Sequence, residues 1–331
     1  MPQLRAKLEQ YLAEKGIDSV LEPLTPDAST RRYFRFKQDG RPVVACVYPD
    51  DIKHLAVSYM DVSRVFRENG LPVAEVNDFD EVLGVIVLED LGDTILRPEL
   101  ESCDAERKDE LIRNAIDLIP RIQKATDSAA ETNSIASRLR FDTEKLMWEL
   151  NYFKIHYFTT FKKEPLSPEI DDALNAEFME LSAELDSTAT VLCHRDFHAA
   201  NLMIDSNSDL RIIDHQDARI GSPTYDLVSL LLDRVTETPS DDWLNDMKAY
   251  YFSQREAAGL NPLDRDAFEH EFELQTVQRC LKAAGTFSFQ SAARDKTYFI
   301  PFIKPMFRIS LQAMQRLDRY PQLQEILMQE L

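Results

Sequence analysis

Three oxygen-bearing side chains stand at spacings that could do chemistry together. Asp196 lies in His194-Arg195-Asp196, Asn201 follows five positions later, and Asp214 ends the apolar run Leu210-Arg211-Ile212-Ile213. Leu202-Met203-Ile204 and Leu210–Ile213 read as short strands joined by the polar turn 205–209. A hairpin of that kind brings Asn201 and Asp214 to one end. An amide oxygen and a carboxylate placed there suit a hard cation such as Mg²⁺. Asp196, on the loop just before, remains available to accept the proton of a substrate hydroxyl. A nucleophile oriented by a carboxylate, with metal ions neutralising phosphates, is what phosphoryl transfer from ATP requires. Each piece alone is commonplace as a turn residue or a cap. The conjunction carries the reading. His194 and His198 have the spacing of a zinc helix but lack its intervening Glu and lie beside strands, which argues against zinc.

The elements that must position these residues follow from periodicity. Leu4, Leu8, Tyr11 and Leu12 have helical spacing over residues 3–15, and Gly16 stops that helix. Tyr33–Lys37 and Val43–Tyr48 read as strands around the turn Asp39-Gly40. Residues 51–69 read as a helix ending at Asn69-Gly70, and Val85–Leu88 as a buried strand. Beyond about residue 94 the pattern is mostly helical: 111–122, an aromatic-rich helix over 143–159, an acidic one over 170–186, and most of 225–330. The expected order is a small strand-rich lobe, a connector near 89–93, and a larger helical lobe holding one hairpin. The expected division is 1–92 for a nucleotide-binding lobe and 93–331 for a catalytic and substrate lobe.

With 331 residues the chain has ample length for two lobes. Its net charge of −20 at pH 7 repels nucleic acid and anionic lipid. That charge mildly favours a cationic substrate, although Mg²⁺ and a few local cations can reverse the field in one cleft. Cys46, Cys103, Cys193 and Cys280 are scattered, with no C-x-x-C pair, as expected of a reduced cytoplasmic protein without structural zinc. No apolar run approaches a membrane span and the N-terminus has no signal core. The expected partner is a small molecule, with no nucleic acid and no membrane.

The loop from His194 to Asn201, with Asp214, resembles the aminoglycoside phosphotransferase-like kinases. Asp27–Arg35, Leu88–Asp93 and Ser222–Leu230 are similar to bacterial cell-wall sugar kinases, which phosphorylate the anomeric hydroxyl of N-acetylmuramate and N-acetylglucosamine. The resemblance implies an α+β, bilobal protein-kinase-like fold and ATP with Mg²⁺ as cofactors. It implies Asp196 as the base, and Asn201 and Asp214 as metal ligands. Backbone groups of Glu89, Asp90 and Leu91 would hold adenine. Ser29 and Thr30 would donate to phosphate oxygens, with Arg31, Arg32 and Arg35 supplying charge. Asp226 would brace the catalytic loop alongside His194. Glu149 and Asn151, in an aromatic helical segment, and Asp217 and Arg219 are candidates for the sugar. Each has an ordinary alternative, such as an exposed position on a core helix for Glu149 and Asn151, or a surface ion pair for Asp217 and Arg219.

One departure stands out. Related kinases place a phosphate-binding Lys on the third strand. Here that strand reads Val43-Val44-Ala45-Cys46-Val47-Tyr48. The cell-wall sugar kinases share the lack, and Arg32 or Arg35 is the expected substitute. Rival readings keep the fold and change the acceptor to an aminoglycoside, choline or an amino alcohol, or make the chain a weakly catalytic nucleotide-binding module. A protein kinase is disfavoured, because the short span from Asp214 to Tyr225-Asp226 leaves no room for a peptide-docking segment.

Overall fold

A computed structural model describes residues 2–24 and 30–331. The chain divides into two compact units: residues 1–108 with 199–218, and residues 109–198 with 219–331. The architecture is α+β, with a small N-terminal sheet lobe and a larger helical C-terminal lobe. The first unit runs past residue 92 and takes in the hairpin, which the sequence pattern had grouped with the helical lobe.

In the first unit, α1 (Pro2–Lys15) ends at Gly16, whose φ of +67° only glycine adopts without strain. The strands β1 (Glu22–Leu24), β2 (Arg32–Gln38) and β3 (Arg41–Val47) follow. Then come α2 (His54–Glu68), β4 (Val76–Asp80), β5 (Val85–Glu89) and α3 (Leu96–Ser102). The five strands form one antiparallel sheet in the order β1-β2-β3-β5-β4. Strand β1 and strand β4 had no clear signal in the sequence, because Glu22-Pro23-Leu24 is short and Val76-Asn77-Asp78-Phe79-Asp80 is polar. Side chains alternate across the sheet. Phe34, Phe36, Val43, Ala45 and Val47 pack with Leu8, Tyr11 and Leu12 of α1. Cys46, Ile86 and Leu88 face the other way, with Tyr48, Tyr59 and Leu91, and Tyr33 packs on that side too. This second face is the one that matters for the site.

In the second unit, helices α4 (Ala105–Lys124), α5 (Thr126–Glu131), α6 (Ile135–Arg138) and α7 (Thr143–Lys154) come first. The last continues as a π-helical turn, Ile155–Lys162, before α8 (Pro168–Thr188) and β6 (Val191–Cys193). Within the first unit lie β7 (Leu202–Ile204) and β8 (Leu210–Ile212), the expected hairpin. The chain returns to the second unit with β9 (Arg219–Gly221), which pairs with β6. Then come α9 (Tyr225–Leu232), α10 (Asp241–Ala257), α11 (Arg265–Ala293), α12 (Ile303–Leu317) and α13 (Pro321–Gln329). Among the described residues, no helix is long and apolar enough to cross a membrane.

Helix α11 is the spine of this unit, and its approach to α7 is set by Gly285. A Cβ built there would lie 2.5 Å from Phe153 Cα and 2.9 Å from Phe153 N. Backbone atoms cannot give way as a flexible side chain can. Gly285→Ala is therefore expected to destabilise the protein by at least about 1–3 kcal/mol. A thermal melt checks this, and an unchanged Tm would show that the two helices can separate freely.

Candidate functional site

Asp214 and Asn201 are brought together as the hairpin predicts. Leu202 pairs with Ile212, and Ile213 N donates to Asn201 O at 3.1 Å, so both residues stand at the same end of the β7–β8 pair. The hairpin is fastened to the first unit by Arg211. Its Nη2 lies 2.6 Å from Glu89 Oε2 and its Nη1 3.2 Å from Asp205 Oδ2. Ile212 N also donates to Pro72 O, and Ile204 N to Thr94 O. Burial would raise the Glu89 carboxyl, but the Arg211 guanidinium and the Glu75 N–H outweigh it and hold it low. The side chain of Glu89 is thus committed to holding the hairpin, which is compatible with a nucleotide role for its backbone only.

Asp214 has a left-handed φ of +61°, uncommon for a non-glycine residue. Its neighbour His215 anchors it. That ring is fully buried between Tyr59 and Phe66, at centroid distances of 4.8 and 5.2 Å, with Nε2 2.7 Å from Ser63 Oγ of α2. Asp214 Oδ1 accepts from Gln216 Nε2 at 3.0 Å and from Arg31 Nη2 at 2.6 Å. Asp217 Oδ2 lies 3.5 Å from the same Gln216 amide.

The three arginines around β2 go to different places. Arg35 forms a fork on Asp90, at 2.6 and 3.0 Å, and also reaches Asp93 at 2.9 Å. Asp90 Oδ1 in turn accepts from Gly92 N at 3.1 Å, so Arg35 and Asp90 together shape the connector after β5. Leu91 is buried beside them. Arg32 has the opposite parity to Tyr33 and Arg35 on the strand. Thr30 is exposed just before the strand, and Ser29 lies outside the described residues.

Asp196 sits in the second unit with His194, Asp226, Glu149, Asn151 and Arg219, whereas Asn201, Asp214 and Asp217 belong to the first. Its loop is braced by Asp226, a fully buried carboxylate on the first turn of α9. Asp226 Oδ2 accepts from His194 N at 2.6 Å and Oδ1 from Arg195 N at 3.1 Å. Arg195 needs that brace, since its φ is +88°. His194 is buried edge-on to Phe197. Helix α9 is itself pinned to α11: Thr224 donates to Glu271, and Arg279 Nη2 donates to Ser229 Oγ at 2.6 Å.

The carboxylate of Asp196 faces cations. Lys282 Nζ of α11 lies 2.6 Å from Oδ1, Arg279 Nη1 3.6 Å from Oδ1, and Arg195 Nε 3.7 Å from Oδ2. Burial would raise the Asp196 carboxyl, but Lys282, Arg195, Arg279 and His198 outweigh it and hold it well below the usual range. Glu149, a candidate for the sugar whose ordinary alternative was an exposed position on a core helix, is fully buried on α7. Its Oε2 accepts from Gln278 Nε2 of α11 at 2.9 Å. Burial alone would neutralise Glu149, yet Lys282, Arg195, Lys145 and Arg279 keep it ionised. Burial and the neighbouring cations in turn lower the Lys282 and Lys145 ammonium groups, with Arg219 among the groups pressing on Lys145. Asn151 donates to Met147 O of its own helix at 2.9 Å. Trp148 of that helix is 55% exposed and carries Lys145 Nζ 3.8 Å from its ring.

Lys282, Arg279 and Gln278 escaped the sequence reading, because nothing in the periodicity of α11 marks which of its polar residues turn inward. Arg31 was grouped there with Arg32 and Arg35 as a source of charge, but the expected substitute for the missing lysine was Arg32 or Arg35.

Residues 20–263 match the phosphotransferase enzyme family. An N-acetylmuramate/N-acetylglucosamine kinase of Neisseria meningitidis is 31% identical, covering 97% of this chain and 92% of that one. Among solved structures, choline kinase LicA from Streptococcus pneumoniae superposes with a TM-score of 0.59 at 12% identity, covering 93% of this chain and 98% of that one. APH(2")-IIa, in complex with gentamicin, also gives 0.59, at 16% identity and with 96% and 97% covered. At these identities the two structures speak to the fold.

Proposed function

The chain belongs to the phosphotransferase enzyme family, whose kinases carry phosphoryl groups from ATP to small-molecule hydroxyls, and from that premise we propose that its acceptor is a cell-wall amino sugar, N-acetylmuramate or N-acetylglucosamine, phosphorylated at the anomeric hydroxyl. The observation that carries this reading is the setting of Asp196. The whole chain is strongly acidic, which favours a cationic acceptor. The immediate surroundings of Asp196 are the reverse, with Lys282, Arg279 and Arg195 all within 4 Å of its carboxylate. Cations this close repel an aminoglycoside or choline and tolerate a neutral or acidic sugar. The anomeric hydroxyl is also more acidic than an ordinary alcohol. A carboxylate as weakly basic as Asp196 suffices to orient it and to take its proton late, as a loose phosphoryl-transfer transition state permits. The exposed ring of Trp148 offers an apolar face for a sugar ring.

In this reading residues 1–92 serve the nucleotide and 93–331 the acceptor, with the hairpin contributing the metal ligands. Thr30, with Ser29, donates to phosphate oxygens, and the backbone of Glu89 to Leu91 holds adenine. Asn201 and Asp214 fit Mg²⁺, since both offer hard oxygen donors at one end of a hairpin. When bound, Mg²⁺ would neutralise phosphate charge. Asp226 and His194 hold the loop that presents Asp196. Glu149 keeps the basic cluster in place, and Asn151, Asp217 and Arg219 remain candidates for sugar contacts.

Product analysis by ³¹P NMR tests the reading. With Mg²⁺-ATP and N-acetylmuramate or N-acetylglucosamine, a new phosphate resonance coupled to the anomeric proton is expected. Kanamycin and choline are expected to give none. Transfer to those cationic acceptors alone would overturn the proposal in favour of an aminoglycoside or choline kinase. ATP binding with no transfer across the panel would point to a binding module.

A further inference from the structure

We propose that Arg31 takes the place of the lysine missing from the third strand and holds the nucleotide phosphates; this rests on the kinase reading above. Three observations lead to it. First, parity: Arg31, Tyr33 and Arg35 share the sheet face that carries Cys46, Tyr48, Ile86 and Leu88, whereas Arg32 has the opposite parity. Second, commitment: Arg35 is bound to Asp90 and Asp93 and so is spent on the connector after β5. Third, reach: Arg31 Nη2 lies 2.6 Å from Oδ1 of Asp214, the carboxylate assigned to the metal.

Its surroundings suit a fixed cation. The Arg31 side chain is 12% exposed, and its guanidinium carbon lies 5.9 Å from the ring centre of Tyr33 and 5.7 Å from that of Tyr48. Nη1 is 3.4 Å from Tyr48 Oη. Tyr48 directly follows β3 and Tyr33 lies on β2 opposite Cys46. The guanidinium thus lies over the very strand that lacks a lysine. A guanidinium presents five N–H donors in a rigid fork that matches phosphate oxygens. One donor can hold Asp214 while others engage phosphate, so a single residue would couple the metal-binding carboxylate to the nucleotide.

Calorimetric titration of adenosine, ADP and ATP into wild type, Arg31→Gln, Arg31→Lys and Arg32→Gln tests the assignment without turnover. Arg31→Gln is expected to weaken ADP and ATP by roughly 10- to 100-fold, the loss of a charge-assisted contact. Adenosine binding should hardly change. Arg31→Lys should recover part of the loss, and it keeps the charge beside Asp214 if the Gln variant folds poorly. Arg32→Gln should cost less than Arg31→Gln. Equal losses for adenosine and ADP, unchanged ADP affinity in Arg31→Gln, or a larger loss in Arg32→Gln would each overturn it. Wild-type protein that binds no adenine nucleotide would overturn the kinase reading together with this assignment.

Discussion

Asp196→Asn is expected to lower kcat by roughly 10²- to 10⁴-fold, the range for losing an acid–base group that works in the transition state. The asparagine keeps the shape of the side chain and cannot accept the hydroxyl proton. Nucleotide affinity, measured by titration of ADP, should survive, because the residues assigned to the nucleotide lie in the other unit. Stability is the second readout. Lys282 and Arg279 would lose the carboxylate that balances them. Asp196 titrates below its unfolded value of about 3.9, so it stabilises the fold above that pH, and the contribution is lost as pH falls through the folded value. Wild type should therefore lose more stability than Asp196→Asn on acidification below about pH 4. Above that range Asp196 stays ionised, so its protonation should not set the acid limb of the activity profile. A variant that retained wild-type kcat would remove Asp196 from the chemistry.

Asp226→Ala should produce the largest structural loss. A buried backbone N–H, that of His194, and a part-buried one, that of Arg195, would lose their acceptor. Orphaning the buried His194 donor costs about 1–3 kcal/mol, and the part-buried Arg195 donor, which water can reach, adds less. The left-handed backbone of Arg195 would also lose the contact that over-determines it. Tm and kcat should fall together, because the loop that fails to hold is the one bearing Asp196. Asp226→Asn keeps one acceptor oxygen and should fall between the two. The pH dependence runs opposite to that of Asp196. Burial raises the Asp226 carboxyl despite His194 and both N–H donors, so its ionisation works against the fold as pH rises from about 3.9 through the raised folded value. Thermal melts from pH 4 to 8, with circular dichroism to confirm folding at the assay temperature, check both effects. An unchanged Tm in Asp226→Ala would show that the loop is held elsewhere.

How much of this was legible beforehand depended on how local each feature is. The hairpin from Leu202 to Ile213 was readable because two short apolar runs and a polar turn are close in sequence, and its register then places Asn201 beside Asp214. Helix α1, strands β2 and β3 and the helices from Tyr225 onward likewise follow from short-range periods of 3.6 and 2. The polar strand β4 was not legible, because its place is set by pairing with β5 and not by its own composition.

The site divides in the same way. The sequence alone singled out the groups proposed to react: Asp196, Asn201 and Asp214 lie within one short stretch, and the types and spacing of their side chains suggest the chemistry. Only the tertiary structure decided which cations serve them. Lys282 is 86 positions from Asp196, and Arg31 is 183 from Asp214. No local pattern distinguishes Lys282 from other polar residues of α11, and strand alternation separates Arg31 from Arg32 without saying which of them, or Arg35, meets Asp214. Glu149 shows the physical reason. A lone carboxylate belongs in water, because burying its charge is costly. It can be buried on α7 because the fold sets it against Lys282 and Arg279 of α11, so its position depends on side chains more than a hundred residues away.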